Sequence, residues 1–407
     1  MCAEIERRAD ALLDDLRRHV ALPTGGGNAA ALDETRGLLC ARLEALGATT
    51  ELVPGEPRPG WLELDDNDGE RSIPPTAVCR RTGGRGGPKI MIAGHLDTVH
   101  DPAGPFRELS VRPDGATATG PGCVDMKGGL VIAVCALEAL ETVGVDAAWT
   151  FTLNSDEETG TYHSGACLRT VAAEHDWGLA LEPALPGGEL AIERVGSGQF
   201  MIECLGRSAH VGRAFTEGVS AVNALAERIL EVARMPDPDR GRVLNIGPLK
   251  GNAAPNAVPD RARAWGNARF PDQRASDEIA AMLDALATDA DAMPRTIVRR
   301  SFNRPAKPET ESVRALAMAA RGVAEGLGQS LPFARTGGVC DGNVMQAAGL
   351  TTIDTLGVRG GGLHTPDEWI ELASLVERCQ LLAVLVGRLG SGESDRAGRP
   401  ASASIGS

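Results

Sequence analysis

The chain has 407 residues, of which 43% are hydrophobic, and its 55 acidic residues outnumber 41 basic ones, which gives a net charge of −14. This length exceeds the size at which one hydrophobic core usually keeps growing, so we expect two domains. The acidic balance, with arginines scattered along the chain, argues against nucleic acid as a partner.

Cysteine usage and the length of the apolar runs bear on where the protein works. The nine cysteines are odd in number and several fall within apolar segments, so we interpret them as reduced thiols. The first twenty residues form a charged amphipathic pattern without the apolar core of a signal peptide. No apolar run reaches the roughly 20 residues that a membrane-spanning helix needs. We therefore predict a cytoplasmic protein without a membrane partner.

Predicted helices and strands alternate over the first half of the chain. The helices are expected at residues 5–20, 32–46, 130–143 and 166–174, and buried strands at residues 89–93, 149–153 and 177–181. The strand runs are almost continuously apolar, which is typical of strands covered on both faces of a parallel sheet. The alternation predicts an α/β fold with a mixed, mostly parallel sheet flanked by helices.

The rhythm changes after residue 195. Strands at 199–204, 242–246, 261–270 and 295–300 and helices at 220–233 and 275–287 follow one another in the order βαββαβ, which predicts a ferredoxin-like α+β domain. Alternation then resumes with a helix at 313–327, a strand at 351–354 and a helix at 370–389. We predict a discontinuous catalytic domain (1–194 and 306–390), an inserted domain (195–305) and a disordered tail (391–407).

Five potential metal ligands occur in order along the chain, and four of them stand where an apolar run breaks into glycines or charge. They are His95, Asp125, Glu158, Glu182 and His364. Residues beyond the carboxyl ends of strands in an open α/β sheet converge in space although they are distant in sequence. Two imidazoles and three carboxylates suit a borderline metal, most plausibly zinc.

Two of these residues also have ordinary structural explanations. Asp125 precedes an apolar helix and could be its N-cap, although the glycines and proline around it indicate an unusual backbone path. His364 follows three glycines and could be an exposed loop histidine, or those glycines could let the backbone approach a ligand closely. Both alternatives stay open for each residue taken singly.

Two further carboxylates stand beside the candidate ligands. Asp97 lies two residues after His95, and the period of a strand directs both side chains the same way. Its carboxylate could therefore hold the second imidazole nitrogen. Glu157 and Glu158 could be a solvated acidic pair, but on an extended segment their carboxylates diverge, so that one could bind metal while the other reaches a water molecule.

Five motifs taken together resemble a known family. They are GHLDTV at 94–99, GPGCVDMKGG at 120–129, DEE at 156–158, LEP at 181–183 and GLHT at 362–365. From the first helix to about residue 389 the chain resembles the co-catalytic zinc metallopeptidases. That family includes bacterial glutamate carboxypeptidases, acetylornithine deacetylase, succinyl-diaminopimelate desuccinylase and aminoacylase. The pattern over residues 196–269 is most similar to the glutamate carboxypeptidase branch.

The resemblance implies a pair of Zn²⁺ ions, with Co²⁺ or Mn²⁺ as alternatives. It implies that Asp125 bridges the two ions. His95 and Glu182 would complete the ligands of one ion, and Glu158 and His364 those of the other.

The resemblance also implies roles for residues around the metal ions. Glu157 would be the general base, and Asp97 would orient the imidazole of His95. In the inserted lid domain, His210 would reach the substrate across a dimer interface, whereas Asn256 and Arg269 would hold the substrate's carboxylate. Arg269 could instead be an ordinary strand residue in an ion pair.

The function implied by the resemblance is that of a dinuclear-zinc hydrolase. It would use metal-activated water to cleave an amide or peptide bond adjacent to a free carboxylate, as a carboxypeptidase or an N-acyl-amino-acid amidohydrolase. The substrate would be an N-acyl amino acid or a short peptide, and the protein would form a homodimer through the lid.

Two other functions compete with this one. The first is a deacetylase, desuccinylase or amidohydrolase of a biosynthetic or specialised metabolite. The second is a noncatalytic scaffold, which would be expected to lose ligands, whereas all five are present here. One departure from the family pattern concerns the substrate pocket: Thr161-Tyr162-His163 follows the acidic motif where the family often has serine and a small residue. Glutamate specificity is therefore not inherited from the resemblance.

Overall fold

A computed structural model describes residues 1–64, 72–83, 86–251 and 254–392. Most of the predicted tail, residues 393–407, lies outside these ranges. Of the helices that the structure describes, none combines the length and the apolar character that crossing a membrane requires. The nine cysteines are all free thiols, and eight of them are buried.

The helices and strands agree in order with most of the sequence prediction. The helices are α1 (Cys2–Arg7), α2 (Ala9–Val20), α3 (Ala29–Ala45), α4 (Gly128–Thr142), α5 (Gly165–Ala172), α6 (Val211–Ala214), α7 (Ala221–Val232), α8 (Gln273–Asp284), α9 (Glu311–Gly326), α10 (Asp341–Ala347) and α11 (Ala373–Gly390). The strands are β1 (Thr49–Val53), β2 (Thr76–Arg81), β3 (Lys89–His95), β4 (Ser110–Val111), β5 (Thr117–Thr119), β6 (Ala148–Asn154), β7 (Trp177–Ala180), β8 (Leu190–Arg194), β9 (Gly196–Leu205), β10 (Ala209–His210), β11 (Val243–Gly251), β12 (Ala257–Val258), β13 (Arg261–Phe270), β14 (Arg295–Arg304), β15 (Phe333–Thr336), β16 (Thr351–Ile353), β17 (Gly360–Gly361) and β18 (Trp369–Glu371).

The main sheet has the strand order β1-β2-β6-β3-β7-β16. The four strands from β6 to β16 run parallel, and β2 joins them antiparallel, which confirms the prediction of a mixed, mostly parallel sheet. The central strands β3, β6 and β7 are almost fully buried because both faces of the sheet are covered there, whereas the edge strand β1 is largely exposed. Ile90 and Ile92 of β3 face a core shared with α4 and α11, while Met91 and Ala93 face a core shared with α5 and α10.

Residues 196–304 build a second sheet with its own apolar core. Its four antiparallel strands have the order β11-β13-β9-β14, and α7 and α8 pack against it. Along the chain these elements follow the predicted order βαββαβ. Phe200, Ala264 and Ile279 are among the fully buried residues of this core. The domain boundaries at residues 194 and 306 stay a prediction.

Three of the differences from the prediction concern long or buried helices, and the short strands and the strands β1, β2 and β8 were not predicted either. The first helix is interrupted at Arg8, so that residues 2–20 form two helices. The last helix begins at Ala373 instead of residue 370, because Trp369–Glu371 pairs with β5 as strand β18. The apolar residues of β18 continue directly into the apolar pattern of α11, so the sequence does not show where the strand ends and the helix begins. Helix α10 was not predicted because it follows a glycine-rich segment that resembles a loop.

Three buried charged side chains connect the two ends of the inserted segment to the main sheet. Arg194 Nη2 lies 2.7 Å from Asp354 Oδ1, and Lys307 Nζ lies 3.2 Å from Asp354 Oδ2. Burial alone would raise the pKa of Asp354, but the two cations lower that pKa below its ordinary value. The single carboxylate therefore neutralises part of two buried positive charges.

We predict that Asp354→Asn lowers the free energy of unfolding by about 3–5 kcal/mol, because it leaves two buried cations without a counter-charge. The matched control is Asp284→Asn, which removes an exposed ion pair to Arg300. Exposed pairs contribute about 1 kcal/mol or less. Urea unfolding of both variants measures the difference. Equal urea midpoints for the two variants would contradict the prediction.

Candidate metal centre

The carboxyl ends of three parallel strands meet at one edge of the main sheet. His95 is the last residue of β3. The turn that contains Glu157 and Glu158 follows β6, and Glu182 follows β7 by two residues. Because β6, β3 and β7 are neighbours in the sheet, these side chains are brought to the same edge.

The first group of candidate ligands consists of His95, Asp125 and Glu182. His95 Nε2 lies 3.2 Å from Asp125 Oδ1 and 3.9 Å from Glu182 Oε1. One ligand atom of each residue lies within 4.8 Å of the others. The His95 ring is fully enclosed, with 1% of its side chain exposed.

The second group consists of Asp125, Glu158 and His364. His364 Nε2 lies 3.5 Å from Asp125 Oδ2 and 3.3 Å from Glu158 Oε2. The side chain of His364 is 55% exposed, so this group lies on the solvent side of the site. Asp125 belongs to both groups and directs one carboxylate oxygen toward each imidazole.

A buried carboxylate that was not predicted holds the loop of Asp125. The Glu368 carboxylate accepts hydrogen bonds from the backbone N–H groups of Gly122, Val124 and Asp125, at 2.8, 2.9 and 3.0 Å. Gly122 has a φ of 69°, and a Cβ there would lie 2.5 Å from Thr98 Cγ2. This position therefore requires glycine.

Asp125 is not the N-cap of α4. That helix begins at Gly128, and its N-cap residue is Lys127, whose side chain makes no capping hydrogen bond. The carboxylate of Asp125 instead points toward the imidazoles. Glu368 was missed because it is four residues beyond His364 in an acidic stretch, and nothing in its neighbourhood indicates a contact 243 residues away.

The orientation of His95 involves the backbone of Asp97 as well as its carboxylate. His95 Nδ1 lies 2.9 Å from the carbonyl oxygen of Asp97 and 3.5 Å from its Oδ1. The Asp97 carboxylate accepts shorter bonds from the backbone N–H groups of Glu157 and Glu158, at 3.2 and 3.0 Å. Asp97 therefore connects the end of β3 to the acidic turn. When His95 Nδ1–H donates to the Asp97 carbonyl, the Nε2 atom of His95 is left to face the other residues of the ligand group.

The acidic pair lies in a turn, so the expectation of an extended segment was wrong. Gly160 N–H donates to the Glu157 carbonyl at 2.9 Å, which closes the turn. The two carboxylates still diverge. Glu158 faces His364, whereas Glu157 Oε1 lies 2.8 Å from Arg304 Nη2. Burial raises the pKa of Glu157 to about 8, although the Arg304 charge opposes this shift.

Two further acidic side chains, not predicted as site residues, hold this turn. Asp156 accepts a hydrogen bond from Ser164 Oγ at 2.5 Å and another from His163 N–H at 2.6 Å. Asp341 of α10 accepts from Thr161 Oγ1 at 3.0 Å and from Asn154 Nδ2 at 2.5 Å. Both are buried. Asp156 could have been suspected from its place beside the acidic pair, but Asp341 lies in a segment with no such signal.

The donor set fits divalent cations. Burial raises the pKa of Glu182 well above its ordinary value, and the nearby Glu157 and Asp125 charges add to that rise. Glu158 Oε1 is buried without a hydrogen-bond partner among the described residues. Three crowded carboxylates and two imidazoles, with an oxygen left unsatisfied, match the preference of borderline divalent metals for nitrogen and oxygen ligands.

The predicted lid residues divide into two places. Arg269 lines a cavity of about 320 Å³ that Glu158 also lines. Its Nε donates to Asn267 Oδ1 at 3.0 Å. Among the described residues Arg269 therefore binds an amide oxygen and not the acidic partner that the ion-pair alternative required. His210 and Asn256 are exposed neighbours at the edge of the inserted segment, where Val211 N–H donates to the Asn256 carbonyl at 3.0 Å. The structure does not group these two residues with the candidate ligands of the same chain.

Comparisons with known proteins identify relatives over nearly the whole chain. The model of peptidase family M20/M25/M40 matches residues 91–388. Carboxypeptidase G2 of a Pseudomonas species is 27% identical over 94% of this chain and 90% of its own length. A succinyl-diaminopimelate desuccinylase of Methylobacterium radiotolerans is 28% identical over 75% of this chain and 81% of its own length.

Solved structures share the fold. A tripeptidase from Staphylococcus aureus superposes with a TM-score of 0.73 at 22% identity and covers 93% of this chain and 99% of its own. A metallo-carboxypeptidase of the M20 family from Sulfolobus solfataricus has a TM-score of 0.66 at 15% identity, with coverage of 93% and 99%. At these identities the likeness shows the architecture alone.

Proposed function

The chain belongs to peptidase family M20/M25/M40 and is a metal-dependent hydrolase that acts on amide bonds, and from this premise we propose that it cleaves an amide or peptide bond adjacent to a free carboxylate. One observation carries the proposal: the two oxygens of Asp125 face the imidazoles of two separate ligand groups. A carboxylate shared in this way suits a pair of cations, one on each side.

We assign the metal ligands from these two groups. His95, Asp125 and Glu182 would hold one ion, and Asp125, Glu158 and His364 would hold the other. Zinc suits this nitrogen and oxygen set, and Co²⁺ or Mn²⁺ are alternatives. When bound, such ions supply Lewis acidity at the scissile carbonyl and lower the pKa of water to about 7.

Glu157 is the proposed general base. Its carboxylate belongs to neither ligand group, and one oxygen lies 2.8 Å from Arg304 Nη2. The other oxygen would take the proton of the attacking water and deliver it to the leaving nitrogen. Asp97 serves this arrangement as a positioning residue, because its carboxylate binds the backbone of the acidic turn.

Arg269 is the proposed anchor for the substrate carboxylate. Its Nη1 is buried without a hydrogen-bond partner among the described residues, and the residue lines the cavity that Glu158 also lines. A guanidinium binds a carboxylate through two parallel hydrogen bonds, so the free donor suits this task. A carboxylate held there would place the adjacent amide near the ligand groups.

We propose that a second copy of the chain completes the site. His210 and Asn256 are exposed at the edge of residues 195–305, the segment proposed as a lid and dimerisation domain. The exposed apolar side chains of Val211 and Phe215 lie beside them. A homodimer formed through this edge would bring both polar residues toward the partner's substrate. The nine free cysteines support the cytoplasm as the proposed location.

A second candidate function is that of a desuccinylase or deacetylase of a biosynthetic or specialised metabolite. The similarity to succinyl-diaminopimelate desuccinylases favours it. Both candidates require hydrolysis of an amide in a substrate that carries a carboxylate, and they differ in the acyl group. A noncatalytic scaffold is disfavoured because the five candidate ligands and Glu157 are all retained.

The proposal is tested with the purified, zinc-loaded chain and a set of N-acyl amino acids and dipeptides. We expect release of free amine from at least one of them, and complete loss after chelation of the metal. The methyl ester of the best substrate should have a kcat/KM lower by about 100-fold, because the buried guanidinium then stays unpaired. Equal hydrolysis of acid and ester, or full activity without metal, would contradict the proposal.

A further inference from the structure

A segment that the predicted function does not use lies over the candidate site. We call residues 54–64, which follow β1, the 54–64 strap. Glu56 N–H donates to the His163 carbonyl at 3.0 Å, and the carbonyl of Trp61 accepts from Trp265 Nε1 at 2.6 Å. The strap therefore contacts the loop beyond the acidic turn on one side and strand β13 of the inserted segment on the other.

The unusual residues after the acidic motif hold the strap in place. A Cβ at Gly55 would lie 2.2 Å from the ring of His163, so the strap backbone packs directly against that imidazole. His163 is one of the residues that depart from the family pattern. The departure therefore coincides with a contact that fixes the wall of the pocket.

Arg58 stands on the strap where three cavities adjoin. One, of about 320 Å³, is also lined by Glu158, Arg269 and Arg304. The second, of about 640 Å³, is also lined by Asp97. The third has about 350 Å³ and extends toward β13. Arg58 thus reaches the same space as a proposed metal ligand and the proposed carboxylate anchor.

Among the described residues, three arginines (Arg58, Arg269 and Arg304) but one acidic residue, Glu158, line the cavity of about 320 Å³. Arg58 Nε is buried without a hydrogen-bond partner among the described residues, and its ion pair with Glu63 spans 3.8 Å. Arg269 Nη1 is also unpartnered, whereas Arg304 is engaged with Glu157. Desolvated guanidinium donors are costly unless an anion meets them. Two such groups beside one cavity can bind two anionic groups.

We propose that Arg58 is a specificity-determining residue that binds a second carboxylate of the substrate. The preferred substrates are then dianions, with one carboxylate at Arg269 and the other at Arg58. This inference rests on the proposed function and names the substrate class of the same site. The second carboxylate belongs either to the side chain of the released amino acid or to the acyl group.

Two matched pairs of substrates distinguish these sources in steady-state kinetics of the zinc-loaded enzyme. N-acetylglutamate against N-acetylglutamine tests the side-chain carboxylate. N-succinylalanine against N-succinamoylalanine, in which the carboxylate of the acyl group is replaced by an amide, tests the acyl carboxylate. In at least one pair we expect the wild type to prefer the dianion by about 10- to 100-fold in kcat/KM, as a charge-assisted hydrogen bond provides.

Arg58→Gln should remove that preference, mainly by raising KM for the dianion. For the amide member of each pair, kcat/KM should stay within about twofold of the wild-type value. Arg58→Lys keeps the charge but not the paired donors, so it should retain part of the preference. Arg299→Gln is the matched control, because Arg299 is exposed on β14 and lines none of the three cavities. It should leave the preference unchanged.

The outcomes separate this inference from the proposed function. A wild type that cleaves amides without preferring either dianion overturns the role of Arg58 alone. The same follows if Arg58→Gln lowers kcat/KM equally for both members of a pair, since that result indicates general damage to the pocket. A wild type that cleaves no N-acyl amino acid or dipeptide overturns the proposed function together with the inference.

Discussion

Glu157→Gln is expected to lower kcat by about 10²–10⁴-fold while the metal content stays that of the wild type. The amide keeps the size of the carboxylate but cannot accept and return a proton. Glu157 contacts Arg304 and belongs to neither ligand group, so metal binding should not depend on it. Metal analysis and kcat measured on the same preparation separate the two effects.

The control for this variant is Glu174→Gln. Glu174 is an exposed residue that pairs with Arg80, away from the ligand groups, and its replacement should leave kcat within about twofold. If Glu157→Gln with a full metal complement also turns over within about tenfold of the wild type, another residue carries the proton.

Asp125→Asn is expected to release both metal ions and to abolish activity. The wild-type carboxylate offers one oxygen to each ligand group, and the amide nitrogen that replaces one oxygen has no lone pair for a metal. Loss of residues that merely orient ligands weakens metal binding by about 10- to 100-fold. For a shared ligand we therefore expect a loss greater than about 100-fold, measured by competition with a chelator.

The control for this second variant is Asp114→Asn. Asp114 is an exposed turn residue whose carboxylate accepts backbone hydrogen bonds from Ala116 and Thr117. Its replacement should leave metal affinity unchanged. Retention of one tightly bound ion by Asp125→Asn would show that the two groups are independent, which is contrary to a shared carboxylate.

The four parallel strands of the main sheet could be predicted from the sequence because they are largely buried. A short uninterrupted apolar run such as that of β3 is typical of a buried strand, and the first polar residues mark where the strand ends. His95 and Glu182 could be placed at one sheet edge for this reason. Asp125 and His364 come from loops, and their convergence with the sheet edge was expected from the resemblance of the motifs.

The supporting contacts could not be predicted because they join residues distant in sequence. Glu368 reaches the Asp125 loop across 243 positions, and Arg304 reaches the backbone carbonyl and the carboxylate of Glu157 across 147. No local pattern distinguishes such a buried acid or arginine from a solvated one. The strap was missed for a similar reason, since Arg58 lies in a segment rich in proline and glycine whose path depends on His163 and Trp265.

The most direct test of the proposed centre is anomalous diffraction at the zinc absorption edge from crystals of the zinc-loaded protein. Two peaks per chain are expected, one beside His95 and Glu182, the other beside Glu158 and His364, with Asp125 between them. A single peak, or peaks that leave Asp125 without a metal contact, would contradict a dinuclear centre built on that carboxylate.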